Sequence, residues 1–337
     1  MTKKKKTIKG EIVDQVLTDF PNTPSLTLAK KIYKENPEVF TSLDDARSMV
    51  RYYRGAMGNK NRKNMTDKSH IKKFTKESLN PFGLPPSDEA EYLPYYLRKE
   101  SNKVLCLYDV HVPYHNVEAL TKAIQYGKDK EVNTIFIGGD FLDFYGLSTF
   151  EKDPRKRRFS QELEDGREVL RILRREFPKA YIYYMIGNHE ERYERYLRVK
   201  APELLDCSDF KVEVLLRFVD LRIELIDGKR IAKLGKLSLV HGHEFGRQLF
   251  SPVNPARGLY MKGKESAICG HHHQTSEHSE PSMSGDLKTT WSVGCLCELH
   301  PDYRPINKWN HGFAYIEVDE DGNYRVHNHK IINNKIY

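Results

Sequence analysis

Five short stretches of this 337-residue chain are dense in Asp, Asn and His. In order they are YDVH, with Asp109 and His111; GGDFLD, with Asp140 and Asp143; GNHEE, with Asn188, His189 and Glu190; VHGHEF, with His241 and His243; and ICGHHHQ, with His271, His272 and His273. Carboxylate, amide and imidazole donors spaced two residues apart, without thiolate, suit two hard-to-borderline divalent cations that share one carboxylate. Manganese, iron and zinc are ions that such a set takes. The paired glycines ahead of Asp140 let backbone and cation approach where a side chain would obstruct.

Such residues must be brought together by regular elements. Each stretch ends a short apolar run, namely KVLCLYDV, NTIFIGGD, AYIYYMIGN, KLSLVHGH and SAICGHH, and these runs predict strands. Helical patterns over about 116–130 and 161–177 fill the gaps between them. Strands alternating with helices imply an α/β sheet, in which function gathers at the carboxyl ends of the strands. The polar stretches lie at those ends.

The five stretches, in this order, resemble the calcineurin-like metallophosphoesterase superfamily, whose pattern is D-x-H, GD-x-x-D, GNH-E, H and GH-x-H. The resemblance covers roughly residues 103–320. It implies a metallophosphoesterase-type four-layer α/β/β/α sandwich over 101–337 and a metal-dependent phosphoric ester hydrolase. Carried over position by position, it implies one cation on Asp109, His111 and His273, a second on Asn188, His241 and His271, and Asp140 as the bridge. The cofactor expected is thus a pair of divalent ions, manganese first, with iron, zinc or nickel as alternatives. His272 becomes the spacer, because residues i and i+2 of an extended strand end face the same way and the middle one points off. His189 is implied as the catalytic histidine that stabilises the phosphate oxygens and helps protonate the leaving group. Asp143 is implied as the partner that fixes its tautomer. The implied reaction is in-line attack on phosphorus by a hydroxide held between the cations.

Other residues invite plainer readings. His243 repeats the spacing of His241, but the resemblance uses the first histidine of such a pair. Glu190 is expected to be a local hydrogen-bonding residue and not a base. Cys295, Cys297 and His300 in GCLCELH are three candidate zinc ligands, and packing is the better account of them. ERYERYLR at 191–198 predicts a charged, solvated helix whose arginines could line a substrate groove. Residues 201–235 are expected to form a cap over the site.

Ahead of this body, residues 1–76 hold 18 Lys and Arg against 8 Asp and Glu, a net of +10, while the rest of the chain nets −2. A basic appendage on a near-neutral body suits a polyanion, most often nucleic acid. Helical patterns follow one another at about 10–20, 23–37 and 42–58, with a proline at the start of the second and a short capping box, Ser42 with Asp45, opening the third. Arg47, Arg51 and Arg54 recur along one face of that third helix. Three short helices with an arginine stripe on the last resemble a helix-turn-helix DNA-binding module. The chain therefore divides into a basic tail and helical module (1–60), a Pro-, Asn- and Lys-rich linker (61–100) and the α/β body (101–337).

Composition bounds the rest. No run of about 18 apolar residues occurs, so no membrane span is expected. The basic start has no apolar stretch behind it and does not read as a signal peptide. Five cysteines, an odd number sitting mostly in apolar runs, argue for reduced thiols in a cytoplasmic protein. The stretch from Gly294 to Gly322 resembles phosphoesterases of bacteriophage and bacterial genomes described as repair-exonuclease-like, which would make that compartment the host cytoplasm. Protein phosphatases of the superfamily carry an arginine after the second motif and another before GNHE; this chain has Phe144 and Ile186 there. The leading expectation is a nuclease-like phosphodiesterase acting on DNA in preference to RNA. The alternatives are a phosphomonoesterase, protein phosphatase or small-nucleotide phosphodiesterase with the basic module used for localisation, and a binding protein whose metal site is structural.

Overall fold

In Lys103–Leu107 the side chains of Val104 and Cys106 point into one apolar cluster and those of Leu105 and Leu107 into another, and all four are fully buried. A strand that is apolar on both faces must lie between two packed layers. Ile135 and Ile137 divide from Phe136 in the same way, and Ile182 and Tyr184 from Tyr183 and Met185. That alternation makes these three strands the middle of a layered domain.

The computed structural model describes residues 7–55, 80, 82–149, 153, 159–227, 229–246 and 253–337. The lysine run at 3–6, residues 56–79 of the third helical pattern and linker, and the 247–252 segment after VHGHEF lie outside the described residues. The chain divides into two compact units, Met1–Glu89 and Ala90–Tyr337.

Within the first unit, α1 (Ile8–Asp19), α2 (Ser25–Glu35) and α3 (Leu43–Arg54) pack around Val13, Leu28, Ile32, Phe40, Ala46 and Val50. Ser42 caps α3 by accepting from the Asp45 amide at 3.1 Å. Asp45 reaches back past the cap to the Thr41 amide at 3.0 Å and also receives Lys9 Nζ of α1 at 2.6 Å, so the predicted capping box fastens two helices. Arg47 and Arg51 are exposed. Arg54 is half-buried and donates to Ser25 Oγ at 3.2 Å and to the Pro21 carbonyl at 3.0 Å, so it joins the turn before α2 to the end of α3.

The second unit holds two sheets. The seven-stranded sheet runs β13 (Lys335–Ile336), β12 (Tyr324–Ile332), β11 (His311–Val318), β2 (Lys103–Leu107), β3 (Thr134–Ile137), β4 (Tyr181–Met185) and β5 (Ile223–Ile226). From β2 to β5 the pairing is parallel. The six-stranded sheet runs β1 (Tyr95–Tyr96), β6 (Ala232–Leu234), β7 (Leu237–Leu239), β8 (Ala267–Cys269), β10 (Leu287–Ser292) and β9 (Ser276–Pro281). Here β7, β8 and β10 are parallel.

Tyr108, Phe136, Tyr183, Leu239, Ile268, Trp291 and Ile316 fill the space between the sheets. Helices α4 (Val117–Asp129) and α5 (Phe159–Glu176) cover the outer face of the larger sheet through Leu120, Ala123, Leu170 and Leu173. Beyond α6 (Glu190–Lys200) and two single turns, α7 (Val212–Leu215) and α8 (Phe218–Leu221), helix α9 (Pro255–Gly263) lays Leu259 on Val240, Ala267 and Cys269 outside the smaller sheet. Helix, sheet, sheet, helix is the four-layer order expected from the sequence.

Residues 201–235 do not form the expected cap. They bury Leu216 and Phe218 in the core, supply β5 as the last strand of the larger sheet, and supply β6 to the smaller one between β1 and β7. Strand β1 falls inside the stretch that composition marks as linker; two residues are too few to show a period. Among the described residues no helix is long and apolar enough to cross a membrane.

Candidate active site

Parallel strands β2, β3 and β4 end on one edge of the larger sheet, and β7 and β8 end on the facing edge of the smaller one. The five polar stretches are the loops leaving those ends. Their backbone is not a continuation of the strands. Asp109, His111, Asp140, His271 and His273 all take left-handed conformations, with φ of 52°, 51°, 50°, 66° and 56°. The expected extended geometry at His271–His273 is therefore replaced by two left-handed residues around His272. The reversals send His271 and His273 into two adjoining groups, and His272 into neither.

The donor atoms converge on Asp140. Its Oδ2 lies 3.2 Å from His241 Nε2, 3.7 Å from His189 Nε2 and 3.9 Å from His111 Nε2. Asn188 Oδ1 is 3.2 Å from the same His241 nitrogen. On the other side, His111 Nε2 and His273 Nε2 face each other at 3.2 Å, and Asp109 Oδ1 is 3.2 Å from His273 Nε2 and 3.9 Å from His111 Nε2. Asp140, His241 and His271 form one cluster of potential ligands. His111 takes part in two more, with Asp140 and His189 and with His273 and Cys297. All nine residues that the sequence assigns to metals or catalysis are thus gathered at one place.

The other ends of these side chains are tied down. His241 Nδ1–H donates to the Gly138 carbonyl at 2.9 Å, which turns Nε2 toward Asp140. His111 Nδ1–H donates to Asp143 Oδ1 at 3.0 Å. The same carboxylate oxygen is 3.2 Å from His189 Nδ1, which donates to the Asp143 carbonyl at 2.8 Å. Asp143 therefore orients a histidine of each kind, where the sequence assigned it to His189 alone. Gly187 and Gly270 are required by close approach: a Cβ on Gly187 would sit 2.3 Å from Asp140 Oδ1, and one on Gly270 would sit 2.5 Å from Asp109 Oδ2.

Two glutamates hold the loops, Glu190 buried and Glu244 exposed. Glu190 accepts from the amides of Asp140, Phe141, Leu142 and Gly187 at 2.8–3.0 Å and from Tyr184 Oη at 2.8 Å. Burial and the Asp140 charge push its pKa above the ordinary carboxylate value, and the amide donors oppose them. Glu244 does the same for the next loop, accepting from the His241 and Gly242 amides at 2.8 and 2.6 Å. The sequence anticipated the first of these roles and not the second.

His243 pairs with Glu191 at 3.3 Å and belongs to none of the clusters. Cys295 and Cys297 are buried but His300 is exposed and bonds the Pro305 carbonyl, so the three do not converge. Cys297 Sγ instead lies 3.8 Å from His273 Nδ1. Arg192 was not singled out within its charged helix. Its guanidinium donates from Nη2 to His189 Nε2 at 2.7 Å and from Nη1 to the Asp143 carbonyl at 2.9 Å. The only sequence signal for it is its place three residues after His189, where one helical turn brings it alongside.

The electrostatics are those of a site built for positive charge. Burial alone would lower His241, yet Asp140 and Asp109 raise it to about 10. His273, likewise opposed by burial, is raised to about 10 by Asp109 and Cys295. Burial together with the neighbouring His241 lowers His271 to about 3. Three aspartates among clustered imidazoles, with ring nitrogens facing one another, fit divalent cations with oxygen and nitrogen ligands.

Glu190→Gln tests the loop clamp. An amide group facing four backbone N–H groups leaves donors without acceptors, at about 1–3 kcal/mol for each buried one. The expected result is a loss of several kcal/mol in denaturant unfolding, whereas His243→Gln, which leaves all five Glu190 contacts in place, should cost far less.

The sequence of residues 103–288 matches the family model described as calcineurin-like phosphoesterase. No curated protein matches the chain in sequence. Solved structures similar to it include vacuolar protein sorting 29 from Cryptosporidium parvum, 12% identical over 70% of this chain and 94% of that one with a TM-score of 0.39. Others are the E. coli phosphoesterase YfcE, 15% identical over 67% and 98% with a TM-score of 0.30, and a dimetal phosphatase from Danio rerio, 12% identical over 64% and 92% with a TM-score of 0.30. With more than half its length matched by the family model, and that match spanning all five loops, the chain belongs to the calcineurin-like phosphoesterase family and is a metal-dependent phosphoric ester hydrolase.

Proposed function

We propose that this hydrolase cleaves phosphodiester bonds in nucleic acid, DNA in preference to RNA, and that its N-terminal module recruits the polymer. The observation that carries the hydrolytic part is the single Asp140 oxygen placed between the His241 side and the His111 side of the cluster. Asp109, His111 and His273 would hold one cation, Asn188, His241 and His271 the other, and Asp140 both; manganese is the first candidate. When bound, the pair supplies charge neutralisation at the phosphate oxygens and a water acidic enough to attack phosphorus. The polyanion part rests on the +10 charge of residues 1–76 and on the exposed Arg47 and Arg51.

The chain's own residues do the rest. Asp143 holds a proton on His189 Nδ1 and so keeps Nε2 toward the reaction centre. While Arg192 donates to that nitrogen, it carries no proton. An incoming phosphate oxygen competes for the guanidinium, which binds it as a charge-assisted partner. His189 Nε2 is then free to hold a proton at the leaving oxygen. Arg192→Met should raise KM for a diester and lower kcat/KM by about 10- to 100-fold, from roughly 1.5–3 kcal/mol for a hydrogen bond to a charged group. A change confined to kcat would remove phosphate binding from its role.

Hydrolysis of bis-p-nitrophenyl phosphate and p-nitrophenyl phosphate by manganese-loaded protein is the direct test, with His189→Ala as control. Diester turnover that vanishes in the variant is the expected outcome; monoester turnover alone would make the chain a phosphatase. Arg47→Glu with Arg51→Glu should weaken salt-dependent DNA binding and leave the small diester untouched. Unchanged DNA binding would sink the recruitment idea.

Cation binding should also release protons. His241 and His273, both raised to about 10, carry protons in the cation-free protein below that pH and must lose them to act as ligands. Apparent manganese affinity should therefore tighten as pH rises toward about 10, with net proton release in calorimetry run in buffers of different ionisation enthalpy. An affinity indifferent to pH would exclude the two histidines as ligands.

A further inference from the structure

Beside the metal cluster, the loop from Pro301 to Asn310 carries Tyr303, Arg304, Ile306, Lys308 and Trp309. Its aromatic rings run outward in series from the site. The Trp309 ring lies 4.2 Å from the His273 ring, and the Tyr303 ring lies 6.4 Å from that of Trp309 at 64°. Tyr303 is 72% exposed and Ile306 92%. Exposed apolar groups that adjoin one another, unlike ones scattered singly, mark a binding surface.

The loop is braced in this shape by its own bonds. Asn307 Nδ2 donates to the Arg304 carbonyl at 2.9 Å, and its Oδ1 accepts from the Trp309 amide at 2.9 Å. The Asn310 amide donates to the His273 carbonyl at 2.9 Å, which fixes the loop to the cluster itself.

We infer that Tyr303 and Trp309 form a stacking platform for a nucleobase next to the scissile phosphate. The inference rests on the phosphodiester reading above and deepens it by naming the neighbouring group. A base separated from the phosphate by its sugar reaches outward along such a strip, whereas a ring bonded directly to the phosphate would lie over His273. Stacking tolerates any base, because each has a π-face. Exposed Arg304 and Lys308 on the same loop supply positive charge for the adjoining phosphates of the strand.

The test compares two esters with the same leaving group, thymidine 5′-(p-nitrophenyl phosphate) and methyl p-nitrophenyl phosphate, on the full manganese-loaded chain. Tyr303→Ala should raise KM for the thymidine ester by roughly tenfold, within the range of about 5- to 150-fold that loss of one stack gives. Kinetics on the methyl ester should stay as in the parent, and Tyr303→Phe should restore the thymidine ester. Equal effects on both esters, or none on either, would overturn the platform while leaving the phosphodiesterase reading intact. Phosphotyrosine hydrolysis that depends on Tyr303 when the thymidine ester does not would assign the strip to aryl phosphates and overturn the nucleobase. If neither ester is turned over by the parent, the phosphodiesterase reading falls, and the platform is decided by binding. Thymidine 5′-monophosphate should then quench tryptophan fluorescence in Trp291→Phe, which retains Trp309, and fail to do so once Tyr303→Ala is added. Absence of quenching in Trp291→Phe rejects it.

Discussion

The site depends on one buried carboxylate. Glu190 sits at the start of α6 with both oxygens turned inward, and its five donors come from three places: the loop after β3, the loop after β4 and the body of β4. Four backbone amides buried without an acceptor would each carry a desolvation penalty. Glu190 removes that penalty at Asp140 and Gly187 together. Asp140 and Asn188 thereby keep a fixed distance although they leave different strands. Glu244 repeats the device on the smaller sheet, so each half of the cluster has its own anionic anchor.

With the loops fixed, two aspartates divide their oxygens in the same manner. Asp140 Oδ1 accepts the His189 amide at 2.8 Å and leaves Oδ2 among the ring nitrogens. Asp109 Oδ2 accepts the His271 amide at 2.8 Å and leaves Oδ1 near His273. One oxygen orients the backbone and the other faces the cluster. The left-handed conformations at these positions make that division possible, because an extended chain would carry the carboxylates past the amides. Non-glycine residues in that region cost of order 1–3 kcal/mol each, and such a cost persists only where surrounding bonds over-determine the geometry. Here the amide-to-carboxylate bonds and the two glutamate clamps do so.

The sequence discloses the donors better than the frame that aims them. Short apolar runs ending in Asp, Asn and His were legible, because burial on both faces forces continuous hydrophobicity and the polar residues break it. So were α4 and α5, whose apolar periodicity is strong. The left-handed turns were not legible, since the residues that adopt them are Asp and His and not glycine, and a single residue has no period. Arg192 was hidden among the other charges of ERYERYLR, and only the turn of α6 brings it against His189. Arg54 shows a second use that spacing does not disclose. Spacing groups it with Arg47 and Arg51, but its bonds to Ser25 and the Pro21 carbonyl spend its donors inside the module. The strands within 201–235, expected as a cap, were not legible because they are three or four residues long, too short to reveal alternation.

Neither sheet could build the cluster alone. Asp109, His111, Asp140 and Asn188 leave the larger sheet, while His241, His271 and His273 leave the smaller one. The group around His241 takes Asp140 from across the gap, and the group around His273 takes His111. Ligand geometry is therefore set by the packing between the sheets, and Tyr108 is its spacer. Fully buried, Tyr108 lies against Gly270, where a Cβ would come within 2.5 Å of its ring. A larger residue at Gly270 would press on the Tyr108 ring and on Asp109 Oδ2 together, and so disturb the spacing of Asp109 and His273. Conversely, a cation held by donors from both sheets works as a cross-link, so binding free energy at this site becomes folding free energy for the sandwich. The same interface thus answers for the stability of the domain and for the spacing at which the chemistry is done.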